Sequence, residues 1–546
     1  MKKRSVILTL GLMAAGALWL KSRRARRATG VHANLHLPTA SSHTEPILDD
    51  AGPLDVLIIG AGLSGIGAAR HLLAKSPGRR FEILEARDAI GGTWDLFRYP
   101  GVRSDSDVFT LGYSFKPWLG RKSIADGGDI RNYIQEAADE AGITERIRFG
   151  HKVRNAAWST AEGCWTVTAE NRDAQGELQT VTRRAKFLFL CSGYYSYDEG
   201  HRPGFPNEAA FQGQIVHPQF WPEDQEYAGK RVVVIGSGAT AVTLVPALAE
   251  RASHVTMLQR SPSYIAIRPL VDETALKLQR WLPATAAHGL VRWKNILTSI
   301  FQYQVARRRP ELFRKALMEA AQKHVGETFD ALAFTPSYNP WDQRVCAVPD
   351  GDLFTALREG QASVVTDTIE AFTPTGIRLS SGEELLADLI VTATGLKLNV
   401  LGDVQFTVDG QPLDVPRTMV YKGMMLGGVP NFAYAFGYTN SSWTLKAELT
   451  ADHVCRLLNH MDRHGYGAVF PEADPSVQEE PLLSFSSGYV TRSAHVLPKQ
   501  GASRPWQVYQ NYLMDKYTIQ FTPLNDGTLK FRHHNLADNS TFASGR

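Results

Sequence analysis

Leu54 to Gly65 reads LDVLIIGAGLSG, and this stretch decides the fold. LDVLII is an apolar run broken by one acid, which suits a strand buried in a parallel sheet. Gly60, Gly62 and Gly65 follow at GxGxxG spacing, and a helical stretch continues through Leu73. Gly60 permits the tight turn, Gly62 lets backbone approach a pyrophosphate, and Gly65 lets the helix pack on the strand. Amides at the new helix start face the phosphates, and Ser64 adds a hydroxyl. The next strand, Phe81 to Leu84, ends at Glu85, where a carboxylate takes the ribose hydroxyls of FAD or NAD. Strand, glycines, helix and acid together read as a dinucleotide-binding unit.

The same pattern recurs. Arg231 to Ile235 (RVVVI) is followed by Gly236, Ser237, Gly238, Ala239, Thr240, Ala241 and Val242, with the first, third and sixth of these forming GxGxxA. The following strand, Val255 to Leu258, runs into Gln259-Arg260-Ser261 where the first unit has its acid. An arginine there suits a ribose 2′-phosphate, so this unit reads as binding NADPH. Two such units in one chain imply electron transfer from NADPH to FAD, with the flavin supplying the chemistry.

The chain has 546 residues, and its 43% hydrophobic and 21% charged composition is that of a globular enzyme. Eight of its 59 basic residues lie before position 28. The remainder carries 51 basic against 55 acidic residues, so the body is mildly acidic despite a net charge of +4. That balance disfavours a nucleic-acid partner. The four cysteines (Cys164, Cys191, Cys346, Cys455) form no CxxC pair, which disfavours a disulfide scaffold and a zinc site, and none lies between Gly65 and Cys164, where a disulfide reductase needs its redox pair.

Ser5 to Leu20 is uncharged, preceded by three basic residues and followed by five. It is short for a bilayer span, but thinning and snorkelling side chains absorb the difference. We read residues 5–20 as a single N-terminal membrane pass with the catalytic body on the cytoplasmic side. A cleaved signal peptide competes, and the basic cluster after the apolar run argues against it. Residues 1–44 form the anchor and tether, 45–200 the first part of an FAD-binding domain, and 201–372 an NADPH-binding domain. A helical insertion occupies about 272–335, and residues 373–546 return to the FAD domain with a C-terminal extension. The fold class is therefore α/β, with two Rossmann-like domains. The insertion is aromatic-rich and basic, and two readings stand: a core-packed element, which is the simpler, or a lid or membrane-contacting face using Trp281, Trp293, Phe301 and Arg307 to Arg309.

Phe211 to Pro222 (FQGQIVHPQFWP) fits FxGxxxHxxxWP through Phe211, Gly213, His217, Trp221 and Pro222. This resembles the fingerprint of Baeyer–Villiger monooxygenases, just upstream of the second nucleotide turn as in that family. GGTWDLFRYPGVRSDSD (Gly91 to Asp107), FLFLCSGYYSYDEG (Phe187 to Gly200), NPWDQRVCAVPDGDLF (Asn339 to Phe354) and YKGMMLGGVPNFAY (Tyr421 to Tyr434) are similar to the mycobacterial ethionamide-activating flavin monooxygenases. The likeness runs from about Asp55 to Tyr512; the apolar N-terminus lies outside it.

The resemblance implies that Ser64, Glu85, Thr93, Trp94, Asp95, Leu96 and Asp105 contact FAD, with Val153 near the adenine. It sets Arg103, Ser104 and Asp105 between flavin and nicotinamide, and Gly236 to Val242 with Arg260 and Ser261 around NADP. Arg344 would be the catalytic arginine, oriented by Asp105, stabilising a flavin C4a-peroxide formed with O2. The implied substrates are small apolar ketones, converted to esters or lactones, and sulfur in thioethers or thioamides. His217 reads as a conformational link and not a base, and Cys191-Ser192-Gly193 and Ala393-Thr394-Gly395 as backbone junctions between domains. The alternatives are an N- or S-oxygenating flavin monooxygenase without ester formation, which the Trp221-Pro222 ending disfavours, and a catalytically silent membrane-tethered flavoprotein. No metal is implied.

Overall fold

The computed structural model describes residues 52–533 except 174 and 484. The expected membrane pass at 5–20 and the tether up to residue 44 lie outside the described residues. Among the described residues no helix is long and apolar enough to cross a membrane.

Two sheets carry the architecture. In the first, Leu54–Ile59 lies between Phe81–Leu84 and Leu178–Leu190, parallel to both. Ile147–Arg148 adds one edge beyond Phe81–Leu84, and Phe432–Tyr434 pairs with the far end of Leu178–Leu190. Val56, Leu57 and Ile58 have no solvent exposure, as a strand covered on both faces demands. The sheet extends through an antiparallel pair, Lys152–Ser159 and Cys164–Arg172. The second sheet is wholly parallel, in the order Ala362–Thr366, His254–Gln259, Arg231–Ile235, Leu389–Thr392, Gln214–Val216.

Leu389–Thr392 corrects a boundary. The second domain was expected to end at residue 372, yet this strand pairs with Arg231–Ile235. A separate antiparallel sheet, Ile369–Thr373, Gly376–Leu379 and Glu384–Leu386, comes first, and its hairpin pattern obscures the return of the chain. The two connections between the domains then run side by side, because Tyr195–Gly200 pairs with Leu396–Leu398. Each begins at one of the two expected junctions.

The insertion is helical, with Glu273–Trp281, Ala284–Arg308, Pro310–Val325 and Ala331–Phe334. Asp272 caps the first helix by accepting from the Ala275 amide at 3.0 Å. The long helix buries Ala287, His288, Val291, Arg292 and Ile296. Arg292 reaches into the first domain, donating to the carbonyls of Phe109 (2.8 Å) and Gly112 (2.5 Å) and to Glu448 (2.6 Å). A buried cation with this many acceptors is compensated and ties the insertion to the FAD side. The opposite face differs from the packed reading: Trp281, Trp293 and Phe301 are exposed.

Candidate active site

The two glycine turns each open on a glycine of positive φ. Gly60 has φ +102° and Gly236 φ +136°, conformations that strain any other residue. A Cβ on Gly60 would stand 2.6 Å from the Cys191 carbonyl oxygen, and one on Gly236 would stand 2.4 Å from that of Ala393. The two junctions are thus the backbone against which each turn is pressed. Burial pushes the Cys191 thiol well above its ordinary range and that of Cys346 up to about 12, so neither offers a thiolate near neutrality.

The turns open onto one cavity of about 1050 Å³. Gly60, Gly62, Ser64, Glu85, Thr93, Trp94 and Val153 line it from the first domain. Gly236, Ser237, Gly238, Ala239, Thr240, Arg260 and Ser261 line it from the second, with Arg103, Ser104, Asp105 and Arg344 also on its wall. Five expected contacts stand behind the wall. Gly65 packs the helix so closely that a Cβ would lie 1.8 Å from the Gly60 oxygen. Ala241 and Val242 are core residues of the second domain. Leu96 is buried, and Asp95 is spent on ion pairs with Arg87 (2.7 Å) and Arg98 (2.6 Å).

The first turn is closed by its surroundings. Glu85 accepts from the Ala61 amide at 2.6 Å and the Arg87 amide at 2.9 Å, so the acid is locked to the turn it serves. Burial raises its pKa, and those two amides oppose the rise. Gly62 and Gly92 face each other, a Cβ on Gly92 falling 3.1 Å from the Gly62 Cα. Trp443, at the start of helix Trp443–His464, donates to Ser64 Oγ at 2.8 Å and stacks on Tyr194. Tyr195 donates to Thr93 Oγ1 at 2.6 Å. These contacts leave a glycine cradle, a polar ribose end and an aromatic wall, which fit a flavin dinucleotide.

The second turn is open. A Cβ on Gly238 would meet no protein atom within 4 Å. Ser237 Oγ donates to the Ser261 carbonyl at 2.9 Å, tying the turn to the arginine-bearing strand end. Arg260 is joined by an arginine not foreseen, Arg492 of the C-terminal extension. Both line the cavity, and Arg492 has its pKa lowered first by burial and then by Arg260. Two neighbouring guanidiniums suit a phosphate dianion.

Arg344 and Asp105 form an ion pair, Nη2 to Oδ2 at 2.6 Å. Asp105 is the largest influence on Arg344 and raises its pKa further, so the guanidinium stays charged. Tyr194 and Tyr489 flank it, and burial pushes Tyr194 up to about 12. The loop before Arg344 is strained at Trp341, whose φ is +70°. Arg103 is committed to Asp352 at 2.5 Å, a bridge between the domains. Ser104 Oγ donates to the Ser106 carbonyl at 2.7 Å and shapes the loop ahead of the Asp107-capped turn.

His217 is not on the cavity wall. Its Nδ1 accepts from the Gln219 amide at 3.2 Å, and its ring fills the space a Cβ on Gly200 would need. Burial lowers its pKa. The ring packs on Gly200, at the end of one of the connections between the domains.

Comparison with known proteins gives one answer. Residues 123–399 match the flavin-binding monooxygenase-like family model, and residues 58–116 match an NAD(P)-binding Rossmann-like domain model. The FAD-containing monooxygenase EthA of Mycobacterium tuberculosis is 54% identical over 481 residues, covering 88% of this chain and 97% of that protein. Its counterpart in Mycolicibacterium smegmatis is 54% identical over 486 residues, covering 88% and 98%. A steroid monooxygenase bound to NADP shares the fold at TM-score 0.68 and 23% identity, covering 88% of this chain and all of that one. Cyclohexanone monooxygenase in an open form follows at TM-score 0.62 and 21%, covering 78% and 90%. This chain therefore belongs to the FAD-containing, flavin-binding monooxygenases.

Proposed function

We propose that the chain is an NADPH-dependent Baeyer–Villiger-type monooxygenase that inserts oxygen into small apolar ketones and oxidises sulfur in thioethers or thioamides. The Arg344–Asp105 pair on the wall shared by both turns carries this reading. Bound FAD would supply the electron store and the O2-reactive ring, reduced by NADPH. Gly60, Gly62, Ser64 and Glu85 would hold its dinucleotide; Gly236 to Thr240, Arg260 and Ser261 would hold NADPH. Arg344 keeps a guanidinium where negative charge gathers on oxygen, and its ion pair with Asp105 fixes its direction. The 54% identity to EthA, an FAD-containing monooxygenase, and the NADP bound by the steroid monooxygenase that shares the fold support the assignment. Residues 5–20 anchor the chain in a membrane, with the body on the cytoplasmic side.

The test uses the purified yellow protein with a panel of ketones, a thioether and a thioamide, following NADPH consumption and product mass. Ester or lactone formation supports the reading. Sulfoxide or S-oxide alone selects the N- or S-oxygenating alternative, and no NADPH turnover with bound flavin selects the silent one.

A further inference from the structure

The long insertion helix Ala284–Arg308 carries large apolar side chains on both its inner and its outer face. Its inner face is buried, as described above. On its outer face Leu290, Trp293, Leu297 and Phe301 are exposed, Phe301 by 69%. Their spacing of three, four and four residues puts all four on one stripe. Large aromatic side chains left in water along a single stripe cost free energy unless something covers them.

A second stripe lies beside it. Leu513, Tyr517 and Phe521, spaced by four residues on Tyr512–Lys516 and its continuation Tyr517–Phe521, are also exposed. Trp293 and Tyr512 bring the two elements together, with ring centroids 6.0 Å apart, and Lys516 Nζ lies over both rings. Trp281, 83% exposed, ends the preceding helix.

Charge narrows the occupant. The 25 residues of the long helix include no Asp or Glu, and Arg308 and Arg309 stand exposed at its end, where Arg307 is paired with Asp342. On the helix before it, Lys277 and Arg280 are exposed cations against the single exposed acid Glu273. In the second stripe the one acid, Asp515, is buried and paired with Lys446 at 2.9 Å. Exposed Trp, Tyr, Phe and Leu rimmed by Lys and Arg match the interface of an anionic bilayer, where amphipathic rings sit at headgroup depth.

We propose that this face docks the catalytic body onto an anionic phospholipid surface, independently of residues 5–20. Docking would bear on the active site, because the helix end holds the loop of Arg344. Arg307 pairs with Asp342 at 2.5 Å, and Tyr303 packs on Trp341.

The test separates this face from the N-terminus. Residues from Gly52 onward form a compact unit with its own cores, so the body without residues 1–44 is used alongside the full chain. Both are mixed with vesicles of phosphatidylglycerol and phosphatidylcholine, or of phosphatidylcholine alone, and floated. The body is expected to float with the anionic vesicles and to lose at least about tenfold in affinity in the double variant Leu297→Asp, Phe301→Asp. That variant should keep its bound flavin and its NADPH oxidation. Failure of the body to float, or flotation untouched by the double variant, overturns the proposal. So does light scattering that shows a dimer of the body abolished by the same substitutions, since the face would then join two copies.

Discussion

The two nucleotide turns share a backbone and differ in their enclosure. At the first, Glu85 is tied back to its own turn, Gly92 closes over Gly62, and Trp443 reaches in from a helix nearly 400 residues along the chain. At the second, Gly238 borders open space and Arg260 stands exposed. The difference is what a resident cofactor and an exchanged one require. A dinucleotide kept through many turnovers is served by a site the rest of the fold helps to build. One that must leave is served by charge at an open rim.

The sharpest way to break this comparison is the third glycine. Gly65→Ala would place a methyl 1.8 Å from the Gly60 oxygen, whereas the second turn already carries Ala241 at that position. Gly65→Ala should cost more than about 4 kcal/mol and give colourless or insoluble protein. Ala241→Gly should stay yellow and fold, losing only about 1 kcal/mol. Flavin absorbance and thermal melts of both variants decide it.

Charge at the open rim comes next. Arg260→Ala and Arg492→Ala should each raise the KM for NADPH about 10- to 100-fold, the worth of a charge-assisted bond, and leave that for NADH unchanged. Equal losses with both nucleotides would mean that the arginines do not read the 2′-phosphate. At the closed turn, Glu85→Gln should weaken FAD retention about tenfold with the NADPH KM unchanged, measured by flavin release on dilution.

The smallest effect concerns pH. His288, on the buried face of the insertion helix, is lowered to about 4 from an ordinary 6.5, chiefly by burial. The folded state therefore binds its proton less well than the unfolded one. Its contribution to stability is whole above pH 6.5 and is lost as pH falls from 6.5 towards 4, about 2 kcal/mol of it by pH 5. His288→Asn should flatten the melting temperature between pH 8 and pH 5 by a few degrees relative to the parent.

Much of this was legible because parallel strands and glycine turns are local signals. Leu54–Ile59, Phe81–Leu84 and Arg231–Ile235 begin and end where their apolar runs do. The Arg344–Asp105 pair was expected from resemblance alone, since nothing local links residues so far apart. Asp95 is paired with Arg87 and Arg98, which sequence alone does not show, because nothing local tells which arginines claim a carboxylate. Arg492 and Tyr489 escaped notice for a related reason: they sit in a turn-rich tail without periodicity, and only folding carries that tail back to the cavity. The outer stripe of the insertion helix was ambiguous because apolar residues on two faces look like a buried helix.

In the proposed function Arg344, held by Asp105, serves oxygen transfer and not nucleotide binding. Its most direct test is Arg344→Ala, with flavin reduction by NADPH followed without oxygen and product per NADPH followed in air. Reduction should stay within about threefold of the parent and product should fall by about 100-fold or more, the scale of losing one fixed charge-stabilising donor. Consumed NADPH should then appear as hydrogen peroxide. Undiminished product per NADPH in the variant would contradict it.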